Sequence, residues 1–220
     1  MSDEDPYSGC APIYNIVADP WLRPLKRRIV EECLRLKISR VLDVGCGTGT
    51  LVNMLCRAGI YAWGVDLSPT MLEKAKEACG GSPVLVRGRA EHLPFLSSSF
   101  QGAVMSLMLH ENPPRIRSAI LKEAFRVLGR GGTLFILEYS RASTLPGRLA
   151  AAVEHAIERS VGGDHFENFR QFMEGGALAG FLAHLPAQNV RWRPAYFGSM
   201  AIAEVAAGSM LPSPGPKDER

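Results

Sequence analysis

The chain has 220 residues, 46% hydrophobic and 21% charged, with a formal charge of +3, which suits one sizeable core and a single domain. No apolar run approaches the roughly 18 residues of a membrane span. The start MSDEDPYSGC lacks a basic stretch followed by an apolar one, and beyond Lys26, Arg27 and Arg28 no basic stripe develops. An integral membrane segment, export and nucleic-acid binding are therefore not expected.

Residues 1–12 and 209–220 are rich in Pro, Ser or charge and read as loose ends around a single domain, 13–208. From Trp21 to Leu36, apolar residues at Leu22, Leu25, Ile29, Cys33 and Leu36 recur at helical spacing. "RVLDVG" then reads as a first strand, "TLVNMLCRAG" as a helix ended by Gly59, and "YAWGVD" as a second strand. "LSPTMLEKAKEAC" is a helix capped by Ser68 with Pro69 in its first position, and "PVLVRG" is a third strand. "GAVMSLML" makes a fourth strand, a helix follows from about Pro113, and "GGTLFILEY" makes a fifth. Strands alternating with helices of this length predict an α/β, Rossmann-like, doubly wound sheet. Residues of about 145–185 break the alternation with helical pattern and read as a cap over the ligand edge. "VRWRPAYFG" and "SMAIAEVA", joined at Gly198-Ser199, read as a closing antiparallel hairpin. The cysteines Cys10, Cys33, Cys46, Cys56 and Cys79 form no C-x-x-C. They read as free thiols of the reducing cytoplasm.

Between the first strand and the next helix, "VLDVGCGTGTL" places Gly45, Gly47 and Gly49 where a ligand can lie against bare backbone beside unpaired helix N–H groups. A phosphate-binding P-loop would need a Lys after the glycines, and none is there. A dinucleotide fingerprint, G-x-G-x-x-G, would place the third glycine one position later. Asp66, 21 residues after Gly45 at the end of the second strand, is where a nucleoside cofactor's ribose hydroxyls need an acceptor.

"LDVGCGTG", "GVDLSPTMLEKAK", "GRAEHLPFLSSSF", "LMLHE" and "VLGRGGTLFILEYS", in this order, resemble the class I S-adenosylmethionine-dependent methyltransferases. More narrowly they resemble the branch with the quinone-biosynthesis C-methyltransferases and many small-molecule enzymes. The resemblance implies seven strands with a final antiparallel hairpin and S-adenosylmethionine as cofactor. It also implies that Gly45, Gly47 and Gly49 lie under the methionyl and ribose parts, that Asp43 supports that loop, and that Asp66 binds the ribose diol. Where the family has Gly-Asp-Ala after the third strand, this chain has Gly88-Arg89-Ala90, and Arg has only donors to offer the adenine amine. Adenine recognition then falls to the backbone near Ala90 with walls at Leu67, Met71 and Leu93, or to Glu91 as the acceptor. Gln101, where the family has Asp, is read as serving the fold.

The first and fourth strands adjoin at the switch point of such a sheet, so "LMLHEN" lies near the glycine loop. His110 and Glu111 are thus the candidates to orient an acceptor or take its proton. The competing reading makes His110 a cap on the strand end and Glu111 an exposed neighbour of the next helix. In the cap, His165 and Arg170 are candidates to contact a phenolic or anionic acceptor, while Phe166, Phe169, Phe172 and Met173 read as core. No pair has metal-ligand spacing, and no metal is expected. The sequence thus points to methyl transfer onto a small-molecule substrate, aromatic or quinone-like. The alternatives are an NAD(P)-type oxidoreductase and a non-catalytic cofactor-binding scaffold. Nothing in the sequence speaks to oligomeric state.

Overall fold

A computed structural model describes residues 11–80, 84–185 and 189–208, with side chains from Asp19 onward. Most of the two expected tails, with Cys10, lies outside the described residues. The first helix, α1 (Ala11–Arg35), begins well before the expected Trp21 and carries Pro20 and Pro24 inside it. It leads into β1 (Arg40–Val44), α2 (Thr50–Arg57), β2 (Tyr61–Asp66), α3 (Pro69–Cys79) and β3 (Val84–Arg87). These boundaries follow local chemistry. Ser68 accepts a hydrogen bond from the Met71 N–H as the α3 N-cap, Pro69 starts the helix, and Gly80 ends it at φ +60°.

Next come β4 (Phe100–Ser106), α4 (Pro114–Val127) and β5 (Leu128–Tyr139). The cap is α5 (Leu145–Val161), α6 (Gly163–Glu174) and α7 (Ala177–Leu182), and β6 (Val190–Ala195) and β7 (Met200–Ala206) close the sheet. The strand order is β3-β2-β1-β4-β5-β7-β6, with β7 antiparallel to both neighbours and the rest parallel. Parallel strands covered on both faces are apolar throughout. Leu134, Phe135, Ile136 and Leu137 of β5 and Ala103, Val104 and Met105 of β4 are fully buried accordingly.

Two local expectations are corrected. The fourth strand stops at Ser106, because Leu107 turns into the left-handed region at φ +51° while its N–H still reaches the Leu137 carbonyl at 2.9 Å. The final hairpin closes through a 3₁₀ turn, Tyr196–Gly198, whose three residues all have positive φ, instead of a tight Gly198-Ser199 turn. Gln101 does serve the fold: its side-chain oxygen accepts from the Ser39 and Arg40 N–H groups and the Ser39 hydroxyl, tying β4 to the start of β1. Cys33, Cys46, Cys56 and Cys79 are free thiols.

Candidate active site

The order of the strands reverses between β1 and β4, and a cleft of about 440 Å³ opens there above their carboxyl ends. Its floor is the turn from β1 into α2, where Gly45, Gly47 and Gly49 have φ of +69°, +53° and +73°. A Cβ on Gly45 would stand 3.1 Å from the Met108 sulfur, so the loop lies close over the end of β4. At Gly47 a Cβ would meet nothing within 4 Å, so this backbone opens toward space. The Asp66 carboxylate locks the loop, accepting the Gly47 N–H at 2.8 Å on one oxygen and the Ser68 N–H at 2.9 Å on the other. Each carboxylate oxygen has a further lone pair, so Asp66 can also accept from the hydroxyls of a ribose.

Asp43, at the base of the loop, is buried, and its Oδ1 has no hydrogen-bond partner. Burial pushes its carboxyl up to about 7, against the pull of Lys26 and with a further push from Asp66. A buried carboxyl with an unpartnered oxygen on a cleft wall gains from a cationic ligand, which favours its charged form, and gains nothing from a pyrophosphate. The donor set therefore fits an adenosyl sulfonium bearing an amino group, and fits a dinucleotide poorly. Leu67, Met71 and Ala90 line the far end, with Glu91 held 2.7 Å from Arg89. Arg89 lines the same wall and pairs with that carboxylate two residues on. Leu93, expected on that wall, is instead core, its N–H bound to Glu123. Asp19, Leu22 and Lys26 of α1 close the near side, with Lys26 and Asp19 paired at 2.8 Å.

Beyond the glycine loop, two histidines and two glutamates form a series from the core to the cleft. Glu138, ending β5, accepts the Leu109 N–H at 3.0 Å and the Tyr139 N–H at 2.9 Å, and its Oε1 lies 2.8 Å from His110 Nδ1. A carboxylate at that nitrogen fixes Nδ1–H toward Glu138, and a second carboxylate facing Nε2 favours the protonated, cationic ring. Nε2 has no hydrogen-bond partner, and Glu158 Oε1 of α5 stands 3.5 Å away. Glu158 in turn accepts the Tyr139 hydroxyl at 2.5 Å and lies 2.5 Å from His165 Nε2. His165 reaches the cleft wall beside Glu111, Asn168 and Val161.

Burial alone would strip the proton from His110, but Glu138 and Glu158 outweigh it and hold its pKa well above the usual value. For Glu158, burial pushes the carboxyl up, and the facing His110 ring together with the hydrogen bonds from His165 and Tyr139 overcome that and hold it below the ordinary carboxylate range.

The expectation that His110 meets the acceptor is corrected in this arrangement: its side chain is 0% exposed, behind Glu158 and His165. The geometry agrees with the competing reading, in which His110 braces the strand end, here through Glu138. Arg170 is corrected as well. It points along the exposed face of α6 toward Glu167 and Glu174, at 3.8 and 3.6 Å, and does not line the cleft. Phe169 and Phe172 are core, as their spacing suggested. His110, Glu111 and His165 bring ligand atoms within 4.8 Å of one another, a grouping that sequence spacing concealed and that departs from the expectation of no metal-ligand set. In this arrangement His165 Nε2 is already engaged by Glu158.

Sequence reasoning also missed what holds the cap in place. Arg117 of α4 is buried and donates to the carbonyls of Leu109, at 2.9 Å, and Asn168, at 2.5 Å, while stacking 4.9 Å over the Phe172 ring. Asn168 returns a bond to the Glu111 carbonyl at 2.8 Å. The available signals were weak: a lone Glu at the end of the apolar run "LFILEY", and Glu154 and Glu158 one helical turn apart.

The methyltransferase domain family matches residues 42–136. The chain is 30% identical over 183 residues to the demethylmenaquinone methyltransferase of Tropheryma whipplei, covering 76% of this chain and 74% of that one. It is 29% identical over 175 residues to the ubiquinone biosynthesis O-methyltransferase of Xanthomonas campestris, covering 77% and 72%. An O-methyltransferase family protein from Burkholderia thailandensis shares the fold at a TM-score of 0.68 and 18% identity, over 91% of this chain and 60% of that one. The cleft suits a sulfonium and the relatives are methyltransferases: the chain belongs to the class I S-adenosylmethionine-dependent methyltransferases, alongside those of quinone biosynthesis, with S-adenosylmethionine as its cofactor.

Proposed function

We propose that this methyltransferase acts on a small aromatic or quinone-like acceptor bound beneath α5 and α6, and that the His165–Glu158 pair takes the acceptor's proton. The observation that carries the reading is the position of His165, on the cleft wall with its Nε2 held 2.5 Å from a buried carboxylate. When bound, S-adenosylmethionine supplies an electrophilic methyl group. Asp43, Gly45, Gly47, Gly49 and Asp66 hold it, and Leu67, Met71, Ala90 and Glu91 wall its adenine. With Nε2–H directed at Glu158, His165 Nδ1 is left as the acceptor of a proton, and Glu158 stabilises the imidazolium that forms. Glu111, on the same wall, orients the acceptor. His110 and Glu138 are positioning residues that hold Glu158. The names of the Tropheryma and Xanthomonas relatives support an aromatic quinone precursor as the acceptor class. The domain spans 13–208 with its cap at about 145–185, and it works in the cytoplasm, where the thiols stay reduced.

Incubation with methyl-labelled cofactor and a panel of phenols, catechols and hydroquinones tests the reading. It predicts label in at least one of them, and a fall of about 100-fold or more in kcat for His165→Ala with unchanged S-adenosylhomocysteine affinity. A full rate in His165→Ala overturns the assignment of the base. Label in none of these compounds overturns the aromatic acceptor.

A further inference from the structure

Helix α5 is inverted relative to an ordinary surface helix. Its acids face inward: Glu154 is buried against the Ser199 hydroxyl at 2.7 Å, and Glu158 is buried in the histidine series. Its apolar residues face outward. Leu145, Leu149, Val153, Ile157 and Val161, each four positions from the last, are 72%, 64%, 62%, 40% and 39% exposed. Residues at i, i+4 and so on form one continuous stripe along a helix. The stripe is extended at its start by Phe197, 71% exposed, whose carbonyl accepts the Thr144 hydroxyl at 3.0 Å. At its other end Val161 lines the cleft.

We propose that this stripe docks on an anionic phospholipid surface, with α5 lying in the headgroup region and the cleft opening beside it. The charge on the helix selects that occupant. With both glutamates turned inward, the only formally charged side chains on the exposed face are Arg148 and Arg159. An apolar stripe flanked by cations alone is the pattern of an interfacial helix, where apolar burial and attraction to anionic lipid add together. A second copy of the chain fits less well. Paired antiparallel about Val153, Arg148 of each copy would approach Arg159 of the other; paired parallel, each Arg would approach its own counterpart. No acid on that face offsets either arrangement. The continuity through Val161 gives the surface a use, because an apolar molecule leaving the bilayer at α5 meets the cleft without crossing water.

Sedimentation with lipid vesicles tests the proposal without cofactor or acceptor, so its outcome is independent of the methyl-transfer reading. The full chain is mixed with vesicles of phosphatidylcholine containing about one third phosphatidylglycerol, or of phosphatidylcholine alone. Co-sedimentation with the anionic vesicles is expected. It should fall by about tenfold or more in the Leu149→Glu, Val153→Glu double variant, and should weaken in Arg148→Gln, Arg159→Gln and at high salt. All four side chains are exposed, and retained S-adenosylhomocysteine binding confirms that the variants fold. Absence of wild-type binding, or binding equal in the double variant, overturns the proposal. So does a dimer in sedimentation velocity that the double variant dissociates while vesicles capture neither protein.

Discussion

Asp43 is a carboxyl whose buried environment disfavours its charged form. Its pKa of about 7 exceeds the value of about 4 it would have in the unfolded chain, so the native state holds a proton that unfolding releases. The sign follows: this group makes the cofactor-free protein lose stability as pH rises from about 4 to about 7. Asp43→Asn should flatten that dependence and raise the melting temperature above neutral pH, while weakening S-adenosylhomocysteine. Thermal melts across pH check the first effect and titration checks the second. His110 and Glu158 act in the opposite sense. A raised histidine contributes stability that is complete below its unfolded pKa of about 6.5 and is lost as pH rises through the higher folded value. The depressed Glu158 contributes stability that is present above about pH 4.3 and is lost as pH falls through its folded value. Glu138→Gln removes one of the two carboxylates holding the proton on His110, so the alkaline loss of stability should begin at lower pH than in the parent. An unchanged alkaline limb would show that Glu138 does not set the His110 proton.

Among the elements, the cap depends on a guanidinium that has left water. Arg117 ties the loop after β4 to α6 through main-chain carbonyls, and hydrogen bonds from a charged group are worth about 1.5–3 kcal/mol each. Arg117→Met, which keeps much of the apolar stem, should destabilise the protein by about 2–3 kcal/mol. It should raise the KM for acceptor more than the dissociation constant for S-adenosylhomocysteine, because the glycine loop is held separately by Asp66. Denaturant titration and steady-state kinetics read the two effects. Elements with local signals were legible: Ser68, Pro69 and Gly80 bound α3, and β2 runs from Tyr61 to Asp66 as its composition suggests. Elements set by tertiary contact were not. β4 stops because Leu107 turns into the left-handed region, and the last hairpin widens because three residues accept positive φ. The early start of α1 lies on the far side of Pro20, a residue type that usually breaks a helix but that this helix carries inside it.

At the scale of the molecule, alternating strands and helices announced the sheet, and a reversal of strand order placed the cleft where the glycine loop and Asp66 meet. That half of the site was readable because its residues are adjacent in sequence or separated by one βα unit. The other half joins β4, β5, α5 and α6, and no local pattern reports that Glu138 faces His110 or that Glu158 stands between two imidazoles. A lone Glu near the end of the apolar run of β5 and the Glu154–Glu158 spacing on α5 were the traces they left in the sequence. The central claim is that a glycine bend closed by Asp66 cradles an adenosyl sulfonium compound. Removing a carboxylate that binds both the bend and a ribose should weaken binding by about tenfold or more. Isothermal titration of S-adenosylhomocysteine into the parent and into Asp66→Ala is the most direct measurement. Micromolar or tighter binding by the parent, at least about tenfold weaker in the variant, is the result predicted; equal binding by the two, or no heat from the parent, would contradict it.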